Sequence, residues 1–112
     1  MIYSNIVVQK LEALKYRLIA VQGKVKGEKT IKSIMSNLDN LAIFSLDGTS
    51  IREKYGIDCD YRYIYAHKNY FIFKTTQTQV NIIEMFNEKE DFIFKLFGVP
   101  MRSKDSMDYW GE

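Results

Sequence analysis

The sequence predicts an α+β fold: an N-terminal helical hairpin packed on a three- to four-stranded antiparallel sheet, closed by a short C-terminal helix. Three observations carry that prediction. Two apolar stripes with helical spacing follow one another in the first 43 residues. Three β-rich runs separated by short polar turns fill residues 61–86. Ten of the 16 aromatic residues lie between Tyr61 and Phe97, where flat rings pack well across neighbouring strands.

Val7, Leu11, Leu14, Leu18 and Val21 recur at spacings of four and three, which lines one face of a helix over residues 6–22. Lys10, Glu12, Lys15 and Arg17 fall off that stripe. Gly23 stands where a helix stops, because glycine accepts backbone angles that a Cβ would forbid. A second stripe, Ile31, Ile34, Leu38 and Leu41, marks a helix over 28–43, and Glu28 in its first turn suits the helix dipole. Joined by a few residues, the two form an antiparallel hairpin. Neither buries its stripe alone, so a third surface must cover them.

Ser45 to Gly48 is turn chemistry, with Asp47-Gly48 its strongest signal, and the mixed, polar run Ile51 to Asp60 reads as an irregular connector. Tyr61-Arg62-Tyr63-Ile64-Tyr65 and Tyr70-Phe71-Ile72-Phe73-Lys74 are β-rich. The turn between them, Ala66-His67-Lys68-Asn69, is short enough for a hairpin, with Asn69 able to take positive φ. Thr75 to Thr78 leads into a third strand, 79–86. Sequential strands with such short turns pair antiparallel, because parallel pairing needs long crossovers. Glu88-Lys89-Glu90-Asp91 opens a closing helix, 90–98, with Phe92, Ile93, Leu96 and Phe97 on its apolar face and Asp91 or the preceding acids as its cap. Gly98 and Pro100 end it. The tail, 101–112, has no periodicity, and its Met107, Tyr109 and Trp110 either dock back or bind a partner. Residues 1–112 thus read as one domain.

Sixteen basic against fourteen acidic residues leave a net charge of +2 and a pI near 8.6, which is not the pervasive field of a dedicated nucleic-acid binder. Residues 1–59 hold nine basic and six acidic residues, and 60–112 hold seven and eight. The basic excess gathers at Lys24, Lys26, Lys29 and Lys32, which read as a solvated helix terminus or as a phosphate-facing patch. A lone Cys59 excludes an internal disulfide and fits a reducing compartment. No run of about 18 apolar residues exists to span a membrane, and Met1 to Asn5 lacks the pattern of a signal peptide. The cytoplasm is the expected location, with no membrane partner. There is no Gly-rich phosphate loop, no nucleophile elbow and no zinc spacing, so neither cofactor nor metal is expected.

Two features remain as candidate sites. His67 has an intrinsic pKa suited to proton transfer, although turn histidines are mostly solvated. Period-2 geometry places Tyr61, Tyr63 and Tyr65 on one face of their strand, with Arg62 and Ile64 on the other. With nearby basic groups the tyrosine face could stack bases and neutralise phosphates, or could simply pack beneath the helical hairpin. Tyr61, Tyr63, Tyr65 and the tail's Trp110 are the partner-binding candidates.

In this order, the elements resemble the RelE/ParE superfamily of toxin–antitoxin toxins over about Leu14 to Gly98. The carrying stretches are Ile31 to Leu41 with Asp47-Gly48, then Tyr61–Tyr65 with Asn69–Phe73, then Val80–Phe86 with Glu90-Asp91-Phe92 and Leu96-Phe97. The resemblance implies a cognate antitoxin as partner, and one of two actions: ribosome-dependent mRNA cleavage, or poisoning of DNA gyrase. For the cleaving branch, Arg62 and Lys89 match basic positions, and His67 or Tyr65 would have to move a proton. Phe71 stands where that branch has an arginine, and Phe92 and Phe94 where it has a tyrosine; a phenyl ring neither donates nor accepts a proton. Glu88, Glu90 and Asp91 would repel RNA. The expectation is therefore a ParE-like toxin that binds rather than cuts, or a degenerate relative that keeps the fold and antitoxin binding, with the ribonuclease and a plain protein-interaction module as alternatives. The first strand usual in the family is expected to be very short or absent, since only Met1 to Ser4 precede the first helix.

Overall fold

The computed structural model describes residues 1–44 and 48–99. Its elements run β1 (Ile2–Tyr3), α1 (Asn5–Gln22), α2 (Lys24–Asn40), β2 (Thr49–Ser50), α3 (Ile51–Tyr55), β3 (Arg62–Ala66), β4 (Asn69–Thr75), β5 (Val80–Asn87) and α4 (Phe92–Phe97). The expected α+β architecture is present. Its sheet is wider than expected, because two two-residue edge strands flank the antiparallel meander in the order β1-β5-β4-β3-β2. The first strand exists and is short, and it lies parallel to β5.

Ser4 joins that edge to α1. Its N–H donates to Ile82 O at 3.0 Å, its hydroxyl donates to Ile83 O at 2.9 Å, and the same Oγ caps α1 by accepting from Val7 N at 3.2 Å. Past β1 the rim of β5 is covered by α1, whose Lys10 Nζ donates to Met85 O at 3.0 Å and pairs with Glu84 at 2.8 Å. An edge covered in this way does not recruit foreign strands.

The hairpin turns on one residue. Gly23, at φ 89° and ψ 162°, ends α1 through its N–H to Ile19 O and begins α2 through its carbonyl to Gly27 N, both at 2.9 Å. Only glycine holds those angles without strain. The second helix thus starts at Lys24, four residues before the expected start at 28. Gly27 is buried where the helices touch, and a Cβ there would lie 2.8 Å from Ile19 N and 2.9 Å from its Cα. Burial in α1 is complete at Val7 and Leu14 only. Val21, expected in the buried stripe, is 79% exposed, and Val25, past Gly23, is 77% exposed, because a helix face is buried only where something lies against it.

The sheet has a core on each face. Val7, Leu14, Ile34, Leu38 and Leu41 of the hairpin pack on Ala66, Phe71, Phe73, Val80, Ile82 and Met85. On the opposite face α3 and α4 contribute Ile51, Tyr55, Phe92 and Ile93 against Tyr63, Ile72 and Phe86. A bulge in β5 makes this allocation possible. Phe73 pairs with Ile82 while Ile72 pairs with Glu84, so the register skips Ile83. Without the extra residue, Glu84 would follow Ile82 onto the hairpin face; with it, Met85 does.

Two local expectations are corrected. The run read as an irregular connector holds α3, started by Ser50 Oγ accepting from Glu53 N at 3.2 Å and ended by Gly56 at φ 73°. Asn69 is a buried β4 residue, not the positive-φ residue of its turn; His67 (φ 49°) and Lys68 (φ 66°) take those angles. Two consecutive left-handed residues make a type I′ turn, whose twist matches the strands it joins. Asn69 supports the turn from below, its amide donating to His67 O at 2.8 Å. Asp47 of the expected Asp47-Gly48 turn lies outside the described residues. Gly48 is buried where a Cβ would meet the Phe73 ring at 2.4 Å.

Candidate functional site

On the sheet face away from the hairpin, α3, β3, β4 and the turn after β5 enclose a shallow cleft of about 690 Å³. The antiparallel register builds its aromatic wall. Tyr65 pairs with Tyr70 and Tyr63 lies two residues back on the same face, giving ring centroids 5.3 Å apart for Tyr65–Tyr70 and 5.6 Å for Tyr63–Tyr70. Phe92 of α4 supports the wall from behind, 4.6 Å from Tyr70, 5.1 Å from Tyr63 and 6.2 Å from Tyr55. Asp91 places that helix by accepting from Phe94 N at 2.9 Å.

The polar groups stand around this wall. Lys54 Nζ donates to Tyr63 OH at 3.0 Å and lies 5.7 Å and 5.8 Å from the ring centroids of Tyr55 and Tyr63, so the rings share its charge. Tyr65 OH donates to the Glu88 carboxylate. Lys89, fixed by its backbone N–H to Asn87 Oδ1 at 3.0 Å, completes the rim. Burial, reinforced by the neighbouring Tyr63 phenol, pushes the Tyr55 phenol well up. The hydrogen bond to Glu88, with smaller help from desolvation, raises Tyr65. Both phenols therefore keep their protons at neutral pH. With two ammonium groups, one carboxylate and protonated phenols, the cleft is equipped to stack a flat or aromatic group and to donate hydrogen bonds to it.

The residues singled out from the sequence fall in different places. Tyr63 is buried in the cleft wall, Tyr65 is 52% exposed at its mouth, and Tyr61 lies half-buried 6.2 Å from Phe97. The tyrosines therefore do not pack beneath the hairpin, which takes the other face. Arg62 is on that hairpin face, donating to Gly48 O at 2.8 Å. His67 meets α2, with Nε2 2.9 Å from Ser33 Oγ. Of the three basic candidates Arg62, His67 and Lys89, only Lys89 lines the cleft. Phe71 is fully buried under the hairpin, Phe92 is cleft support and Phe94 is exposed. Trp110, with Met107, Tyr109, Pro100 and the rest of the tail, lies outside the described residues. Among the described residues no group of three or more His, Cys, Asp or Glu is placed to hold a metal ion, and no helix is long and apolar enough to cross a membrane.

Lys54 and Tyr55 were hidden in the supposed connector. A signal for them existed: Ser50 and Glu53 stand at capping-box spacing before Gly56. Tyr70 is found by pairing the two strands across the turn, which places it opposite Tyr65.

No protein-family model matches the chain, and no curated protein matches it. Among solved structures it superposes on a chain of the chromosomal ParDE toxin–antitoxin system of P. aeruginosa with a TM-score of 0.62, covering 76% of this chain and 90% of that one at 12% identity. At that identity the likeness is one of fold. The architecture that the strands and closing helix resembled is the one the chain adopts: a ParE/RelE-like α+β fold.

Proposed function

We propose that this chain is the toxin of a type II toxin–antitoxin pair, held by a cognate antitoxin, and that it acts on its target by binding, as the ParE-like branch does, rather than by cutting RNA. The observation that carries the reading is the make-up of the cleft on a ParDE-like fold: an aromatic, doubly cationic surface whose phenols are held protonated, with Arg62 and His67 directed elsewhere. Cleavage of RNA needs a group to take a proton from the attacking hydroxyl and positive charge at the developing phosphorane. Lys54 and Lys89 supply charge; the raised phenols are poor proton acceptors, and the one carboxylate of the cleft, Glu88, is taken up by the Tyr65 phenol. DNA gyrase is the target this reading favours. Lys54, Tyr65 and Lys89 are the residues placed to grip it, with Tyr61 and Tyr63 holding the surface in shape.

Inducible expression of the full chain in a bacterial host, with and without the product of the adjacent reading frame, tests the proposal. Growth arrest relieved by that product is expected, and the double substitution Lys54→Ala, Lys89→Ala should relieve it as well. Unchanged growth on induction counts against a toxin. A ribonuclease, the second reading, rests on the same two lysines flanking stacked tyrosines. It predicts cleavage of translated mRNA in primer extension, lost in Lys89→Ala, and such cleavage would replace the binding reading.

A further inference from the structure

On the other side of the β3–β4 turn, between that turn and the hairpin, lies a second cavity of about 490 Å³. Its size is that of small-ligand sites, roughly 300–1,000 Å³. Three elements bring cationic or protonatable side chains to it: Arg17 from α1, Lys26 from α2, and His67 with Lys68 from the turn. No carboxylate lines it. Among the described residues the side chains of Arg17, Lys26 and Lys68 have no ion pair. The carboxylate of the adjoining cavity, Glu90, is paired with Lys95 at 3.0 Å. Unpaired like charges gathered from separate elements repel one another, and a bound anion removes that cost.

The turn supplies a second observation. A type I′ turn is relaxed with Asn-Gly at its centre; here His67 and Lys68 hold both positive φ angles. Left-handed backbone at a residue with a side chain is sparsely populated and collects at functional sites. The turn is pinned in this state by Asn69 to His67 O at 2.8 Å, by Glu88 N to Lys68 O at 2.8 Å, and by His67 against Ser33. Between the cations, Leu18 and the exposed Val21 form an apolar wall.

We propose that this cavity binds a small phosphate-bearing ligand with a flat apolar portion, a nucleotide by class, the phosphates between Arg17, Lys26 and Lys68 and the flat group against Leu18 and Val21. A polyanion is the poorer occupant. The net charge is only +2, and the cations converge on one cavity instead of tracking a backbone. Of the four clustered lysines of the sequence, Lys26 alone lines the cavity. The site is separate from the tyrosine cleft, so it stands or falls independently of the toxin reading.

Titration of the full chain with pyrophosphate, ATP and adenosine, followed by calorimetry or NMR, tests the proposal. Pyrophosphate and ATP should bind with Kd on the order of 1 mM or tighter, and adenosine at least about tenfold more weakly. Added salt should weaken the first two. Arg17→Gln and Lys68→Gln, checked for unchanged melting, should each weaken ATP about fivefold or more through a lost charge-assisted contact, whereas Lys32→Gln on the exposed side of α2 should not. No binding by either phosphate probe overturns the proposal. So does equal weakening by Lys32→Gln, and so does a glutamate-rich peptide that displaces ATP at a lower concentration, which would assign the cavity to an acidic protein partner.

Discussion

Tyr65 and Glu88 illustrate what one contact does to the cleft. The phenol donates to the carboxylate, and that bond raises the Tyr65 pKa above its ordinary value of 10.0. A group whose folded pKa is raised adds stability that is complete below the unfolded pKa and is lost as pH climbs through the folded one. Glu88→Gln should therefore bring one phenol to ionise at lower pH in an ultraviolet titration, and stability should fall less steeply on the alkaline side. Superimposable titration curves for the two proteins would sink the assignment. At this scale the sequence was half legible. The alternation Tyr61, Tyr63, Tyr65 fixed which rings share a face, but alternation is symmetric under exchange of the two faces. Phe71, Phe73 and Ile64 took the hairpin, and the tyrosines were left to α3, α4 and solvent.

The helical hairpin is set by two glycines with different jobs: Gly23 makes the turn, and Gly27 lets the helices touch. Gly27→Ala would drive a methyl into the Ile19 backbone, at 2.8 Å and 2.9 Å, where no flexible side-chain end can yield. Such overpacking costs about 1–3 kcal/mol, more than the few tenths to 1 kcal/mol that alanine returns in helix propensity. Urea unfolding should show a lower midpoint with the slope unchanged; a midpoint at or above that of the parent would contradict the close approach. The stripes at 7–21 and 31–41 announced both helices because helical periodicity is a local property. They did not announce a one-residue joint or the exposure of Val21, which depend on where the sheet ends. The short α3 carried its cap and stop in Ser50, Glu53 and Gly56, yet five residues give no periodicity to read.

Across the whole molecule, β3, β4 and β5 are shared by two cores on opposite faces, so the two cores should unfold together. Phe73, fully buried on the hairpin face and seated against Gly48, is the place to test this coupling. Phe73→Ala should cost about 3–5 kcal/mol. The helical far-ultraviolet signal, carried mostly by α1 and α2, and the tyrosine near-ultraviolet signal, carried mostly by the rings of the opposite face, should shift together to one lower midpoint. Separate midpoints would mean that the faces unfold independently.

The sequence by itself determined the α+β class, the hairpin, the three central strands and the closing helix with an acidic cap, because each is written in periodicity or turn chemistry within a few residues. Only the tertiary structure decided which sheet face the hairpin covers, how Ile83 bulges to turn Met85 inward, and that β1 and β2 extend the sheet at its edges. Two-residue strands have no pattern of their own and exist only because a neighbour offers unpaired backbone groups. The candidate sites divide in the same way. Lys89 and Tyr65 could be named from their positions, while their meeting with Lys54 and Tyr70, and the turning of Arg62 toward the opposite face, follow from register and packing that join residues far apart in the chain.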